Sequence, residues 1–272
     1  MTSAQIQTTT DPWARAHRSV VVGVDGSEGS DSALRWAAHE AATVGSRLRV
    51  VTATGRHHAR AQSDLERATS RIHGQDVVTA VYDGRAEDML VHHLDDARLL
   101  VVGKRGHGVI PRLLVGSVAV AVAGRSPVPV TVVPGGWQQE EHTQLPIVVG
   151  LDPDRAHHRL LHLAFRRAER LVVPLVLVHG QESHDSADVG SRFDSEVTLW
   201  SERFPDVEVR SILTPQHPTM ALLAEAEKGA QLLALGRRVT HRFEGFGFGS
   251  VTRAVLHYAE VPVLVVPVDD DV

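Results

Sequence analysis

The sequence contains no cysteine. Disulfide bonds and thiolate chemistry are therefore excluded, which is compatible with a reducing compartment. The sequence also lacks a long apolar run, because none reaches the roughly 18 residues that a membrane-spanning helix needs. The first 17 residues have no apolar core of the kind that marks a signal peptide. We therefore expect a cytoplasmic protein with no membrane partner.

An excess of positive charge is missing as well. The formal net charge is −5 at pH 7, and the isoelectric point is about 6.4. General binders of nucleic acids or anionic membranes are basic, so neither partner is expected. What the sequence does contain, 43% hydrophobic and 22% charged residues, is typical of a soluble globular protein. Its 272 residues suffice for two domains of ordinary size.

Two apolar segments begin similar patterns in the two halves of the chain. "SVVVGVDGS" starts at Ser19 and "LPIVVGLDPD" starts at Leu145. Each is a run of β-branched residues that ends in Gly-x-Asp, which predicts a buried strand followed by a turn. Further helices and strands follow in the same order, and each half closes on a proline-flanked strand. The repeat, offset by roughly 130 residues, indicates a domain-sized duplication.

Alternating strands and helices predict parallel βαβ units with helices on both faces of a sheet. The predicted fold class is α/β, with two tandem five-stranded parallel-sheet α/β sandwich domains. Residues 18–134 form the first predicted domain and residues 145–268 the second, joined by a polar linker over 135–144. Residues 1–17 are expected to form a flexible tail and residues 269–272 an acidic tail.

The stretch "VVGKRGHGVIPRLLVGSV", residues 101–118, joins a predicted strand to a predicted helix. Ligands of open α/β sheets bind beyond the carboxyl ends of the strands, where this loop and Asp25 are expected to lie. Glycines allow positive φ angles and let backbone amides approach a ligand closely. The glycines of this loop that matter for its spacing are Gly103, Gly106 and Gly116.

Two further features of the loop favour phosphate. Ser117 is placed to begin the following helix, whose unpaired N–H groups and positive dipole end attract anions. The loop has no acidic residue, and its basic residues are Lys104, Arg105, His107 and Arg112. The glycine spacing is neither that of a Walker A motif nor that of a Rossmann fingerprint. Because glycine also marks ordinary turns and serine also caps helices, the spacing alone fits a phosphate site and a plain connection about equally well.

The pattern Gly-x2-Gly-x9-Gly-Ser, with "VVGVDGS" upstream and the closing "VPVTVVP", resembles the universal stress protein family. The duplication resembles the tandem-domain members that are frequent in actinobacteria, and the match extends over nearly the whole chain apart from the N-terminal tail. The family fold is a five-stranded parallel α/β sandwich in each domain. Many members with this glycine motif bind ATP, and members without it generally do not. The resemblance therefore implies binding of ATP, ADP or AMP.

The resemblance also implies roles for individual residues. The implied nucleotide-binding residues are Val24, Asp25, Ala53, Val102, Gly103, Arg105, Gly106, Gly116, Ser117 and Val118. The three glycines, with the serine and valine that follow the last of them, would wrap the phosphates. Asp25 would lie near the adenosine or a bound Mg²⁺. Val24, Ala53 and Val102 would line the adenine and the ribose.

The second half carries a loop, "GRRVTHRFEGFGFGS", that aligns with the first loop without a gap. Gly236, Gly249 and Ser250 match the first and last glycines and the serine, but Val239 stands where the first half has Gly106. A β-branched residue disfavours positive φ, so this replacement weakens any phosphate site that depends on that conformation.

Other differences and similarities bear on the second site. The first half has Gly84 where the second half has Gln216, whereas Asp152 matches Asp25. The second loop keeps its basic character through Arg237, Arg238, His241 and Arg242. The predicted second, weaker site consists of Asp152, Gly236, Arg238, Gly249, Ser250 and Val251. We expect the first site to bind nucleotide more strongly than the second.

Metal and nucleophile chemistry are less well supported. The sequence has 17 histidines, and the adjacent pairs are His57-His58, His92-His93 and His157-His158. Adjacent residues of a helix or strand do not share a face, so these pairs are predicted to be solvated rather than to bind a metal. No Gly-x-Ser-x-Gly nucleophile motif is present, and no catalytic residue is predicted.

Prolines flank the last predicted strand of each half. Proline occurs mainly on edge strands or at strand starts, which favours a position at the sheet edge. An apolar edge such as "VTVV" or "VLVV" would be prone to pair with another strand if it were exposed. We therefore expect domain–domain or homodimer pairing through these edge strands, which the family resemblance also favours.

The resulting hypothesis is an ATP-binding universal stress protein that acts as a nucleotide-responsive regulator or adaptor in the stress response, with an unidentified regulatory protein partner. The sequence offers no evident general base or water-positioning residue, so an efficient enzyme is not expected, although slow ATP hydrolysis is compatible with the pattern. Two alternatives stay open: a nucleotide-using enzyme, either a slow ATPase or a phosphotransferase, and a dimerising interaction module in which nucleotide binding is incidental.

Overall fold

The computed structural model describes residues 19–54, 58–70, 72, 74–106, 115–155, 157–181, 187–238 and 248–268. The predicted tails and the residues His57, His107, Arg112, Val239, His241 and Arg242 lie outside the described residues. Strands and helices alternate through the described ranges. None of the helices in these ranges combines the length and apolar character that a membrane span requires.

The first half of the molecule, residues 19–134, contains five strands and four α-helices in its described part. These are β1 Ser19–Gly23, α1 Glu28–Val44, β2 Arg47–Thr54, α2 His58–Thr69, β3 Val77–Asp83, α3 Ala86–His92, β4 Ala97–Gly103, α4 Ser117–Arg125 and β5 Val130–Val133.

The second half, residues 145–268, repeats this order within its described ranges. Its elements are β6 Ile147–Gly150, α5 His158–Leu171, β7 Leu175–Gly180, α6 Ala187–Arg203, β8 Val209–Thr214, α7 Pro218–Glu227, β9 Leu232–Arg238, α8 Ser250–Tyr258 and β10 Val263–Val268. Between the halves, a 3₁₀ turn spans Gln139–Glu141, and Trp137 is buried and stacks on His142 with ring centroids 3.9 Å apart. The polar linker expected here therefore includes a packed aromatic side chain.

All ten strands belong to one sheet, in the order β3-β2-β1-β4-β5-β10-β9-β6-β7-β8. Every neighbouring pair within a half is parallel. The halves meet where β5 and β10 pair antiparallel, with Val132 opposite Val263 and Val130 opposite Val265. The predicted α/β fold class with a mostly parallel sheet is confirmed.

The last strand of each half is not a sheet edge, and that part of the sequence prediction is wrong. Strand β5 lies between β4 and β10, and β10 lies between β9 and β5. The domain–domain form of the predicted pairing is observed within the chain. A homodimer through these same strands is not available in this structure because both of their sides are already paired. The edges of the ten-stranded sheet are β3 and β8.

The alternation of side chains along the strands builds two hydrophobic layers. In β1, Val20 and Val22 face the first layer and Val21 faces the second. Helices α1, α2, α5 and α6 contribute to the first layer, and α3, α4, α7 and α8 contribute to the second. Strands covered on both faces need apolar residues at every position, which explains the continuous valine and leucine runs. Each layer includes residues of both halves.

The strand order also creates a crevice between β1 and β4. These two strands are adjacent and parallel. The chain leaves β1 for α1 in the first layer, whereas it leaves β4 for α4 in the second layer. Because the two connections go to opposite faces, they separate above the sheet, and such a switch point is where open α/β sheets bind ligands.

Candidate functional site

A cavity of about 560 Å³ lies at the carboxyl ends of β1, β2 and β4. It is lined by all ten residues predicted for the first site, namely Val24, Asp25, Ala53, Val102, Gly103, Arg105, Gly106, Gly116, Ser117 and Val118. The fold thus brings together residues from three strand ends and one helix start. The volume lies within the range of small-molecule sites in proteins.

The deep wall of the cavity is apolar. Val51, Leu90 and Val102, which belong to β2, α3 and β4, and Val24, which follows β1, are all buried and line the cavity. Sequence reasoning did not assign Val51 or Leu90 to the site, although Val51 stands in the apolar run "RLRVVTAT", which predicted a strand, and Leu90 in "AEDMLVHHLDD", which predicted a helix. A wall of branched aliphatic side chains offers a flat ring system an apolar surface, while polar groups gather at the mouth of the cavity.

Asp25 stands at the polar mouth, directly after β1. Its Oδ1 accepts hydrogen bonds from the backbone N–H of Ser27 at 3.0 Å and from the Ser27 hydroxyl at 2.6 Å. Ser27 is the N-cap of α1, and its Oγ in turn accepts the N–H of Ser30 at 3.2 Å. The start of α1 therefore orients the Asp25 carboxylate, which is exposed to the cavity.

Two of the three glycines of the first loop are required for close packing, and none of the three has a positive φ angle. Gly103, Gly106 and Gly116 are absent from the positive-φ glycines of the described residues, so these three do not use the positive φ angles that glycine allows. A Cβ on Gly103 would lie 2.6 Å from the backbone carbonyl carbon of Gly29. A Cβ on Gly106 would overlap Oδ2 of Asp25. The loop backbone thus rests directly on the start of α1 and on the Asp25 carboxylate.

Gly29 completes this contact, and sequence reasoning missed it. A Cβ at this position would overlap the carbonyl oxygen of Arg105. Gly29 lies in the first turn of α1 and is buried. Glycine destabilises a helix, so its presence in the helical segment "EGSDSALRW" was a signal that the backbone is approached closely here.

Helix α4 presents an N-terminus to the cavity. Its N-cap is Gly116, which supplies no side-chain hydrogen bond, and Ser117 is the first helical residue and not the cap. The N–H of Gly116 donates to the carbonyl of Lys104 at 2.7 Å, which closes the loop. The next residues, Ser117, Val118 and Ala119, all line the cavity. An N-terminus without a capping side chain leaves N–H donors and a positive dipole end that suit a phosphate group.

Lys104 does not line this cavity, although it belongs to the basic loop. Its Nζ donates to the carbonyl oxygen of Ala259 in the second half at 2.7 Å. Burial lowers the pKa of Lys104 to about 8, the charge of Arg105 acts in the same direction, and Glu260 opposes both. Among the described residues, Arg105 is the cationic residue that lines the cavity.

The matching region of the second half is built differently. Asp152 forms an ion pair with Arg155 at 2.6 Å, and its Oδ1 accepts the N–H of Asp154 at 3.2 Å. His157 is buried, so the prediction of a solvated side chain is wrong for this residue. Its Nδ1 would be 3.0 Å from a Cβ on Gly236, and its Nε2 accepts the N–H of Asp152 at 3.3 Å. Burial lowers the pKa of His157, with Arg155 acting in the same direction and Asp152 opposing it.

Within the described part of the second half, a cavity includes two of the six residues predicted for the second site. Helix α8 starts at Ser250 after an N-cap, Gly249, that gives no side-chain hydrogen bond. This shallower cavity of about 450 Å³ along α8 is lined by Gly249 and Ser250, whereas the described residues Asp152, Gly236 and Val251 are not part of its lining. The predicted obstacle at Val239 lies outside the described residues.

The replacement of Gly84 by Gln216 between the halves corresponds to a difference in backbone conformation. Gly84 has φ of 140°, which glycine adopts and other residues avoid. Gln216, at the matching place, is not among the positive-φ residues of the described ranges. The turn after β3, which leads to the cavity residue Ala86, therefore differs from the turn after β8.

Known proteins match this sequence over nearly its whole length. The sequence profile of the "Universal stress protein family" matches residues 17–73, 52–134 and 145–267. A universal stress protein of Mycolicibacterium smegmatis is 30% identical over 283 residues, which cover 91% of this chain and 96% of the relative. A universal stress protein of Mycobacterium tuberculosis strain H37Rv is 30% identical over 288 residues, with 92% and 97% covered.

Two solved structures complete the comparison. The crystal structure of a universal stress protein from Archaeoglobus fulgidus has a TM-score of 0.73 at 19% identity and covers 92% of this chain and 98% of its own, which shows the same fold. A universal stress protein solved in complex with cAMP is 35% identical, covers 44% of this chain and 99% of its own, and has a TM-score of 0.39.

Proposed function

Because the chain belongs to the universal stress protein family, we propose that its first half binds an adenine nucleotide, ATP in particular, in the cavity between β1 and β4. One observation carries this proposal: the ten residues implied by the family motif line a single cavity that has an apolar wall and a helix N-terminus. Those two features match the two ends of a nucleotide, a flat apolar base and an anionic phosphate chain.

Each part of the cavity has a role in this proposal. Val24, Ala53 and Val102 contact the adenine and ribose. The backbone of the glycine loop and the N–H groups at the start of α4 hold the phosphates, and Arg105 adds a positive charge at the mouth. A Mg²⁺ ion fits beside Asp25, because Mg²⁺ is commonly held by one carboxylate together with phosphate oxygens, and this carboxylate is exposed to the cavity.

We propose a regulatory role and not efficient catalysis. Among the described residues that line the cavity, Asp25 is the one acidic side chain and there is no histidine. The Oδ1 of Asp25 already accepts two hydrogen bonds from Ser27, which hold this oxygen as a fixed acceptor. The protein would respond to nucleotide as an adaptor for a regulatory partner. Measured ATP turnover well above about 1 s⁻¹ would contradict this role and support an enzyme.

Isothermal titration with nucleotides tests the site directly. The wild-type protein is titrated with ATP, ADP, AMP and cAMP, with GTP as the control for base recognition. We expect one tight adenine-nucleotide site per chain. Gly116→Val should abolish binding, because a branched side chain would occupy the phosphate end of the cavity, where even its Cβ would lie 3.4 Å from the carbonyl oxygen of Lys104.

The matched substitution in the second half is Gly249→Val. No atom of the described residues lies within 4 Å of a Cβ built at Gly249, so the substitution should preserve the fold and the tight site. Full binding stoichiometry in Gly116→Val together with loss of binding in Gly249→Val would overturn the assignment to the first half. Absence of binding in the wild-type protein would overturn the proposed function itself.

A further inference from the structure

Two hydrogen bonds cross between the halves at matching positions. Lys104 follows the first glycine of its loop, Gly103, and its Nζ donates at 2.7 Å to the carbonyl of Ala259, the residue that ends α8. Arg237 follows the matching glycine of the second loop and donates at 2.6 Å to the carbonyl of Ser126, the residue that ends α4. Each half therefore holds the C-terminus of the other half's last helix with the residue that begins its glycine loop.

Both contacts are electrostatically favourable. The carbonyl groups at a helix C-terminus lack intrahelical partners and carry the negative end of the helix dipole, so cationic donors stabilise them. Ala259 and Arg237 are buried, which limits competition from water. The contacts are thus well placed to transmit a displacement from one half to the other.

Lys104 has a second connection, through its backbone. Its carbonyl oxygen accepts the N–H of Gly116, the N-cap of α4, at 2.7 Å, and its own N–H donates to Val133 at 2.7 Å. Lys104 therefore joins three places: the start of the helix that faces the cavity, strand β5 at the junction of the halves, and the end of α8.

We propose that Lys104 is a positioning residue that couples nucleotide binding in the first half to helix α8 of the second half through the Ala259 carbonyl. This inference rests on the proposed function, since it assigns a regulatory connection to the same site. A nucleotide that contacts both the glycine loop and the start of α4 also fixes the position of the Lys104 backbone. The position of the Lys104 side chain is fixed as a result. The second half then acts as the part of the molecule that responds to the ligand.

The chemistry of lysine makes this connection sensitive to pH. With burial lowering the pKa of Lys104 to about 8, a change from pH 7 to pH 9.5 removes the proton. Arg237 keeps its charge over this range, so the matching contact does not respond. An anionic ligand near Lys104 favours the protonated amine and raises its pKa, so nucleotide affinity should fall as the pH rises through about 8.

Other charged groups surround Lys104 and share a cavity of about 590 Å³ with it. They are Arg105 of its own loop, Glu260 after α8, Glu28 at the start of α1, and Glu141 and His142 of the segment between the halves. His257 of α8 also faces Lys104, and burial lowers its pKa, with Arg253 and Lys104 acting in the same direction. Variants of Lys104 alone are therefore needed to separate its titration from theirs.

The titration of Lys104 can be measured directly, because Lys104 and Lys228 are the two lysines of the sequence. Protein labelled with ¹³C at lysine Cε gives two resonances, which Lys228→Arg assigns. Without nucleotide, the Lys104 resonance should titrate near pH 8. Saturating ATP should move the Lys104 midpoint upward.

Affinity measurements give the second readout. Wild-type protein and Lys228→Arg should bind ATP about threefold to tenfold more weakly at pH 9.5 than at pH 7, the range expected for weakening one charge-assisted hydrogen bond. The ligand does not contribute this change, since terminal phosphates with a pKa near 6 are ionised throughout. Lys104→Arg should bind with little pH dependence, and Lys104→Met should bind weakly at both pH values.

Amide hydrogen exchange of α8 gives the third readout and needs no nucleotide. Exchange over residues 250–260 should be faster in Lys104→Met than in wild type and restored in Lys104→Arg. Addition of ATP should slow this exchange in wild type but not in Lys104→Met. A Lys104→Met protein with wild-type exchange in α8 and an unchanged pH profile of affinity would overturn the inference.

The outcomes separate the inference from the proposed function. If wild-type protein binds no nucleotide at any pH, the proposed function fails and the coupling to nucleotide fails with it, even if α8 exchange responds to Lys104. If nucleotide binds but α8 exchange and the lysine titration are unaffected by it, the proposed function stands and the coupling alone is wrong.

Discussion

At the scale of single residues, Val172 and Gly45 show how one position can differ between the two copies. They end α5 and α1 in the same left-handed conformation, with φ of 55° for Val172 and 62° for Gly45. A β-branched residue is strained in this region, whereas glycine is not. Val172 is 83% exposed, so it gains little from packing in return.

Val172→Gly should therefore stabilise the protein by about 1 kcal/mol, because it removes left-handed strain at the cost of some backbone entropy in the unfolded chain. The reverse exchange, Gly45→Val, should destabilise it by about 1–2 kcal/mol. Urea unfolding of the two variants and the wild type measures both effects. A lower unfolding midpoint for Val172→Gly would show that its side chain has a stabilising contact that the exposed position does not suggest.

The loop glycines also belong to the residue scale. Their spacing predicted which residues come together, and Gly103, Gly106 and Gly116 do line one cavity. None of the three has the positive φ angle that glycine allows. Gly103 and Gly106 are needed because Gly29 and Asp25, roughly 80 residues earlier in the chain, leave no room for a side chain, which no pattern within the loop itself could reveal.

At the scale of secondary-structure elements, helices α1 and α5 are joined by a buried ion pair between Glu40 and Arg167. Arg167 also lies over the ring of Trp36, 5.2 Å from its centroid. Burial acts to raise the pKa of Glu40, but the charge and hydrogen bond of Arg167, with Arg170 and Arg98, hold that pKa below its ordinary value. This ion pair links the first helix of each half of the molecule within the first hydrophobic layer.

Glu40→Gln should destabilise the protein by about 3 kcal/mol, because it leaves the Arg167 guanidinium buried without its counter-charge. The contribution of Glu40 is present above the ordinary glutamate pKa of about 4.3 and is lost as the pH falls through its lower value in the folded protein. Unfolding free energies measured between pH 7 and pH 3 should therefore converge for Glu40→Gln and wild type at the acidic end.

The control for this comparison is Glu169→Gln on α5. Glu169 pairs with Arg166 at 2.9 Å, but both side chains are exposed by more than a third. Exposed ion pairs contribute about 0–1 kcal/mol, so this variant should remain close to wild type. Equal losses in the two variants would mean that burial does not set the strength of the Glu40–Arg167 pair.

At the scale of the whole molecule, the two halves are joined because the sheet and the hydrophobic layers contain residues of both. One sheet runs through both, and both hydrophobic layers contain residues of each half. Polar contacts at Glu40–Arg167, Lys104–Ala259 and Arg237–Ser126 reinforce the junction. Such continuity favours cooperative unfolding of the halves as one unit.

Differential scanning calorimetry should therefore give a single transition for the full chain. ATP at 100 times its dissociation constant should move the entire transition upward by about 5 °C, from a stabilisation of about 2.7 kcal/mol in one site. Gly116→Val should show one transition that ATP does not move. Two transitions, of which ATP shifts one, would mean that the halves unfold independently despite the shared sheet.

The ten residues predicted for the first site line one cavity, and their role in nucleotide binding stays a prediction. The order of strands and helices, the duplication and the α/β class could be read from the sequence alone. These follow from side-chain periodicity and from local chemistry, which neighbouring residues carry in any context. Asp25 and Ser117 could be placed at one end of the sheet because parallel strands align their carboxyl ends.

Contacts between residues that are distant in sequence could be determined only from the tertiary structure. It paired β5 with β10 inside one chain, where proline patterns had suggested edges. It turned Lys104 away from the cavity toward Ala259, and it buried His157 against Gly236. A short pattern specifies its own conformation and polarity, whereas the direction of a long side chain and the partner of a strand depend on which surfaces the complete fold brings within a few ångströms.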